Sequence, residues 1–321
     1  MGDRLTIDEV LDKAFTSGDL ATGGLLEPEQ AGAFVRGIID KSVILAETRR
    51  IPMKGDKRQV DKITYASDIL QTPPAVGTAP STTTKPTTTK VTLDAEEVIM
   101  AIDLGYDALE DSIEGQGLFN TIMDLTNKEV AFETDKLLLN GNKSGGTSNY
   151  LEILNGVFQQ ISSYSYDAGG ATTLDDDILF NALKLMPGKY MDVENDFRFY
   201  VSHKARLDYI KALADKNVDQ AFVRYLLENN DPYFQGIQVR KVPAITTEDV
   251  SGGGGSPTVN GSKALLINPK NILFGVHRDI TYEMMRQPRK RIIEVTMTMR
   301  IDVKLEEETA AVEILNIRHS A

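Results

Sequence analysis

Imidazoles, thiols and convergent carboxylates do most protein chemistry, and this sequence supplies few of them. It has 3 histidines, His203, His277 and His319, and no cysteine. No two histidines stand four residues apart and HExxH does not occur, so a zinc hydrolase is unsupported. Without cysteine there is no disulfide, no thiolate metal site and no cysteine nucleophile. His277, in Phe274-Gly275-Val276-His277-Arg278, reads as a structural or surface residue. No GxSxG elbow is present. Gly253-Gly254-Gly255-Ser256 is not a phosphate cradle, and Gly261-Ser262-Lys263 has the wrong order for a P-loop. Asp175-Asp176-Asp177 suggests calcium, but an EF-hand needs Gly at its sixth position and Glu at its twelfth. Phe180 and Met186 stand there. Acids in the first turn of a helix, favoured by its dipole, explain that run better. No catalytic, cofactor-binding or metal-binding residue is therefore assigned.

Two charge runs remain. Arg286, Arg289, Lys290 and Arg291 are dense, with Pro288 among them, and Glu306, Glu307 and Glu308 form an acidic counterpart. The basic run is open to three readings: a solvated turn, ion pairing between subunits, or a nucleic-acid patch. Ion pairing of that kind sets register and partner choice more than affinity. Against the third reading, Lys+Arg 35 and Asp+Glu 47 give a net charge of −12, which repels phosphate backbones on average. Trp is 0 and aromatics are 7%, which argues against a stacking platform for single strands or sugars.

The elements that must position these charges fit a soluble, ordered chain. Hydrophobic residues are 41% and charged residues 26%, ordinary for a globular protein. At about 150 residues per domain, 321 residues suggest two domains. No stretch approaches about 18 uninterrupted apolar residues, so no membrane partner is expected.

The first fifty residues read as an arm. It has a short helix over 7–15, a Gly- and Pro-broken stretch Thr22-Gly23-Gly24-Leu25-Leu26-Glu27-Pro28, and a helical pattern from Glu29 through Phe34 and Ile38. Residues 56–104 read as one long hairpin. Val60 to Tyr65 goes out. Val91 and Leu93, then Val98, Met100, Ile102 and Leu104, return with period two. Between lie Pro73, Pro74, Pro80 and a threonine tract from Thr82 to Thr89. Threonine favours extended backbone but supplies little apolar area. A two-stranded ribbon alone is marginal in water, so this one must be laid against something else, and another copy of the chain is the expected support.

Leu118 to Leu139 is the best helix candidate, with Leu118, Ile122 and Leu125 in one stripe and Asp124, Lys128, Glu129 and Glu133 kept wet. Asn140-Gly141-Asn142 stops it with residues that tolerate positive φ. Residues 141–264 read as a mixed α/β unit: a helix from Thr173-Leu174-Asp175 to about Met186, a strand Phe197–Val201, a helix from His203 to Lys216, and a strand Ile237–Pro243. A flexible loop Ser251–Ser256 follows. Ala264–Ile267 is a short buried run. From Ile293 to Leu305, Ile293, Val295, Met297, Met299, Ile301, Val303 and Leu305 point one way and the polar residues the other, a strand buried on one face. Ala311 to Ile317 adds a further strand. A long helix across long strands gives an α+β fold in two layers.

The order of these parts resembles the HK97-like fold, the major capsid protein of tailed bacteriophages. Thr22-Gly23-Gly24-Leu25-Leu26-Glu27-Pro28-Glu29-Gln30 is similar to that family's N-arm, Glu47 to Met53 to its transition into the extended loop, and Leu266-Ile267-Asn268-Pro269-Lys270-Asn271 to its return into the peripheral domain. The resemblance implies an N-terminal arm over 1–52 and an extended loop, a β-hairpin, over 53–104. It implies a peripheral domain over 105–145, with its long spine helix, and 265–321, with long β-strands. The axial domain takes 146–264. It implies a major capsid protein, not an enzyme, that self-assembles into hexamers and pentamers of an icosahedral head around double-stranded DNA, without sequence-specific binding and without cofactors. The localisation implied is the virion, assembled in the host cytoplasm. The arm begins almost at once, so a separate scaffolding protein is expected, with a portal and, as a further partner, a decoration protein. Some members crosslink a loop lysine to a neighbour's asparagine. Lys85 and Lys90 lie in the loop, but no matching asparagine and acid are identifiable, and no crosslink is expected. The candidate contacts between subunits are Lys85, Lys90, Arg286, Arg289, Lys290, Arg291, Glu306, Glu307 and Glu308. An encapsulin-type nanocompartment shell is the alternative within the fold. A hydrolase with an unrecognised site is the alternative from another class.

Overall fold

The period-two run becomes β12 (Ile292–Leu305), and the rest of the first sheet is built around it. A computed structural model describes residues 42–65, 70, 85–107, 117–145, 149–170, 173–216, 232–245, 248–252 and 256–320. The expected helices over 7–15 and from Glu29, the Thr22–Gln30 motif and the hairpin tip around Pro73–Pro80 lie outside these residues.

β12 runs between β11 (Ile272–Gln287) and β4 (Glu96–Gly105), antiparallel to both, and β1 (Arg49–Pro52) lies parallel to β11 at the edge. Val295, Met297, Met299, Ile301, Val303 and Leu305 are buried in a row. A slip of one residue would turn all six to solvent, at about 1.5–3 kcal/mol each, so the register is strongly specified. The cover over this row is the long helix α1 (Gly117–Asn140), which shares a core with β12 through Val130, Ala131, Leu137 and Leu138.

The extent of α1 agrees with the sequence, but its buried face differs. Leu125 is 59% exposed, while Thr126, Asn127, Thr134 and Asp135 are buried. Of these, Asp135 meets hydrogen-bond donors on the inner face. The Asp135 carboxylate accepts from Ser42 Oγ at 2.5 Å and from the backbone N–H of Val43 at 3.0 Å, fixing the turn that precedes β1. Burial pushes the Asp135 carboxyl above its ordinary range, and these donors pull it back. The helix stop also differs. Gly141 is needed for close approach, not for positive φ: a Cβ there would lie 2.5 Å from Leu154 O and 2.6 Å from Leu137 O.

The second sheet runs β5 (Ser165–Asp167), β13 (Ala311–Arg318), β10 (Ser256–Ile267), β6 (Arg198–Val201), β8 (Ile237–Lys241) and β7 (Tyr233–Phe234), with β9 (Glu248–Gly252) also paired to β10. Ala264 to Ile267 are fully buried because β13 and β6 flank them and both faces are covered. Leu265 and Ile267 join the core under α1, whereas Ala264 and Leu266 join a second core. That second core holds α3 (Asp176–Leu185) and α4 (His203–Asp215), helices that follow the short α2 (Val157–Gln160). Asp175 caps α3 by accepting from Ile178 N at 3.0 Å, and Ser202 caps α4 by accepting from Ala205 N at 3.2 Å.

One sequence expectation is corrected here, and two others find their place. Of the loop expected over Ser251–Ser256, Ser251 and Gly252 end β9 and Ser256 opens β10 opposite Gly252, while 253–255 lie outside the described residues. The further strand expected at Ala311–Ile317 is β13, in the second sheet. The return arm of the hairpin is two strands, not one. β3 (Thr87–Asp94) pairs with β2 (Lys57–Thr64) as a separate two-stranded sheet, and β4 starts after Ala95 and belongs to the sheet of β12. Among the described residues no helix is long and apolar enough to cross a membrane.

Candidate assembly surface

The ribbon β2–β3 is the one sheet with no third strand among the described residues. Its threonines and β-branched residues suit extended backbone, and cross-strand partners share a face. Val60 stands opposite Val91, Lys62 opposite Thr89 and Arg58 opposite Leu93. These residues face the protein's own body. Leu93 is fully buried with Ile51, Met53 and Leu273, and Val60 and Val91 pack against the same cluster. The body makes room with Gly275, where a Cβ would lie 2.9 Å from Met53 Sδ and 3.2 Å from Leu93 Cδ1.

Polar contacts secure the base of the ribbon. Asp302, the buried exception on the polar face of β12, accepts from the backbone N–H of Asp94 at 2.7 Å. The Ala95 N–H donates to Asp56 O at 2.8 Å, and Lys57 pairs with Asp94 at 2.8 Å. The Arg58 guanidinium donates to Pro52 O. Further out, Lys62 forms an ion pair with Glu307. Glu307 is itself held, since its N–H donates to Asn271 Oδ1 at 2.8 Å and its carbonyl accepts from Asn271 Nδ2 at 2.8 Å. Beyond Lys62 the ribbon has little support, and Ile63 is 70% exposed.

The candidate charges fall into three places. Lys85 and Lys90 are exposed on the ribbon, and Lys90 reaches Gln59 Oε1 at 3.3 Å. Arg286, Arg289, Lys290 and Arg291 are brought together at the turn from β11 to β12. There the Arg286 guanidinium lies 5.3 Å from the Tyr106 ring centroid, Lys290 pairs with Glu294 at 3.2 Å, and Arg291 pairs with Asp107 at 2.9 Å. Arg291 has φ 55°, the left-handed backbone that closes the turn. Glu306, Glu307 and Glu308 sit at the far end of β12, so the basic and acidic runs do not meet within the chain. Glu306 pairs with Arg49 at 3.1 Å, and Glu307 with Lys62. The Glu308 carboxylate accepts from the N–H and Oγ of both Ser162 and Ser163 at 2.6–3.1 Å. Burial opposes its charge, but these four donors prevail and hold its carboxyl below the usual range.

Sequence reasoning missed Glu47, which joins the turn before β1 to the second sheet. It receives Tyr200 Oη and pairs with Arg240. Burial, then the Glu47 carboxylate, raises the Tyr200 phenol, so it stays a donor. The partners lie 153 and 193 residues away, beyond any local signal.

The histidines do not converge. His203 opens α4 and is exposed, His277 Nδ1 lies 3.2 Å from Asp56, and His319 Nδ1 lies 3.7 Å from Asp208 in the second core region. Among the described residues no three metal-ligating side chains gather. What the arrangement offers is contact surface: a half-supported ribbon and a charged turn.

The phage capsid family matches residues 22–316. A prophage capsid protein of Bacillus subtilis strain 168, YqbE, is 31% identical over 314 residues, covering 97% of this chain and 98% of its own. Among solved structures, the procapsid of satellite phage P4 is similar with TM-score 0.62 at 15% identity, over 96% of this chain and 97% of that one. The encapsulin of the holo-SrpI complex from Synechococcus elongatus PCC 7942 is similar with TM-score 0.55 at 10% identity, over 85% and 88% of the two chains.

Proposed function

The chain belongs to the phage capsid family, and from that premise we propose that it builds hexamers and pentamers of an icosahedral head around double-stranded DNA. It is a major capsid protein with the HK97-like α+β fold, a structural component of the virion and not an enzyme. Proteins of this kind self-assemble into shells. The hydrolase reading falls with the family. The encapsulin reading shares only the fold, while the family match and the prophage relative favour the capsid.

The observation that carries the proposal is the ribbon β2–β3, a two-stranded sheet of the marginal kind that gains order from a surface outside itself. In this reading residues 1–52 are the N-arm, 53–104 the extended loop, 105–145 and 265–321 the peripheral domain, and 146–264 the axial domain. β4 and β13 are the strands by which those segments are sewn into the two sheets. The exposed charges Lys85, Lys90 and the turn Arg286–Arg291 meet neighbouring subunits, whereas Glu306, Glu307 and Glu308 act first within the chain. A scaffolding protein, a portal and packaged DNA are the expected partners, with no sequence-specific DNA contact.

The test is negative-stain microscopy of the expressed chain beside a variant lacking residues 70–88. Closed shells from the full chain and a soluble, folded variant without shells support the proposal. Normal shells from the deletion variant overturn the role of the ribbon. No shells from the full chain with its scaffolding partner overturn the capsid role. Double-stranded DNA rather than protein cargo inside native particles separates a head from a nanocompartment.

A further inference from the structure

The turn over 42–48, which leads into β1, is tied down on three sides. Its start is held twice. Leu45 N donates to Ser42 Oγ at 2.9 Å, and the Asp135 carboxylate, reaching across from α1, accepts from Ser42 Oγ at 2.5 Å and from Val43 N at 3.0 Å. The backbone N–H groups of Ile44 and Leu45 also face that carboxylate. One carboxylate from a distant helix thus serves the free donors at the start of a helical turn, a task usually met by a local capping residue. Ile44 and Leu45 sit in the core under α1, and the N–H groups of Glu47 and Thr48 close the turn on Ile44 O at 3.0 and 3.1 Å. Glu47 then reaches the other way, to Tyr200 and Arg240 of the second sheet. Directly after it β1 joins the first sheet beside β11, with Arg49 on Glu306.

Stability alone does not call for this arrangement. Asp135 is only 4% exposed, and taking a carboxylate out of water is costly. Apolar packing in such a place is often at least as stabilising. What a buried carboxylate with its donors in place adds is one fixed geometry. We propose that the turn over 42–48 is a junction that fixes the angle at which residues 1–41 leave the body, with Asp135 and Glu47 as its positioning residues. The angle matters by leverage. Ten extended residues span about 33 Å, so a tilt of about 20° at their root moves the far end by about 11 Å. A segment presented at one angle also loses less freedom when it docks. Because the pins come from α1 and from both sheets, the angle is set by the protomer as a whole. The inference rests on the capsid reading, in which those residues belong to the N-arm, and goes beyond it by naming what aims them.

The natural absence of cysteine makes the test direct. Asp40→Cys puts one nitroxide label two residues before the turn, and Lys184→Cys puts another on the exposed end of α3. Pulsed electron resonance on the unassembled chain reads the spread of distances between them. Asp135→Ala and Glu47→Ala should each widen that spread about twofold or more. Asp135→Asn, which keeps one acceptor oxygen, should widen it less. In the unlabelled chain the two alanine variants should lower the yield of closed shells about tenfold, with open or irregular particles in their place. If Asp135→Ala does not fold, Glu47→Ala carries the test, because Glu47 and Arg240 keep 21% and 32% of their side-chain surface exposed. An unchanged spread in the alanine variants that fold overturns the junction, and so does a normal yield of regular shells from them. The spread is read without shells, so a wild type that forms none overturns the capsid reading while the junction is still judged.

Discussion

Asp302 Oδ2 accepts a hydrogen bond of 2.7 Å from the backbone N–H of Asp94, at the point where the ribbon leaves the sheet. The other oxygen accepts from the N–H of Val303 at 2.8 Å. Asp302→Ala leaves both N–H groups without this acceptor and should cost about 1–3 kcal/mol. The fall should appear in thermal unfolding, together with faster amide exchange at Asp94. Burial raises the Asp302 carboxyl above 3.8, with nearby Asp94 adding to it and Lys304 opposing. A raised acid binds its proton more readily folded than unfolded. Its ionisation therefore lowers stability as pH rises through the raised value. The alanine variant should lack that part of the pH profile.

Gly275→Ala should loosen the same joint from the apolar side. The new Cβ would press on Met53 Sδ and Leu93 Cδ1. Overpacking of this sort costs about 1–3 kcal/mol, read as a lower melting temperature with faster exchange at Leu93. An unchanged melting temperature would mean that Met53 moves aside freely.

His319 gives the opposite pH sign. Its side chain is 1% exposed; burial lowers it below 6.5, Lys204 adds to this, and Asp208 opposes. The unfolded chain thus binds the proton first. The stability this residue contributes is complete above 6.5 and is lost as pH falls toward the lowered value. Between about pH 7.5 and 5.5, His319→Gln should lose less melting temperature than the wild type. Equal losses would place the acid sensitivity elsewhere.

Reversing Arg289, Lys290 and Arg291 to Glu should impair assembly far more than folding. The pairs of Lys290 with Glu294 and Arg291 with Asp107 are exposed, each worth about 0–1 kcal/mol. Sedimentation should show fewer shells at a nearly unchanged melting temperature. Intact assembly with a large loss of melting temperature would return the turn to a purely structural role.

β12 was legible because one of its faces is wet, so its apolar row alternates. β11 was not, because Leu273 and Gly275 meet the ribbon base while Ile272, Phe274 and Val276 meet the core under α1, leaving no polar face to mark a strand. The cap at Asp175 was readable from neighbouring residues. The break at Ala95 was passed over although the alternation changes phase there, from Val91 and Leu93 to Val98, Met100, Ile102 and Leu104, as the partner changes from β2 to β12. The charge runs were visible as composition, but their partners were not. Glu306 meets Arg49 across 257 positions, a pairing that only the closed fold creates.

β10 and β11 are separated by only Asn268 to Asn271, and Asn271 is bolted on both sides to Glu306 and Glu307. The two sheets of a protomer are thereby welded into a stiff plate. Strain from unequal curvature across a tiled surface has no hinge to relax at this seam. It must pass outward instead, to the half of the ribbon beyond Lys62, where Ile63 is 70% exposed and the chain's own body holds little.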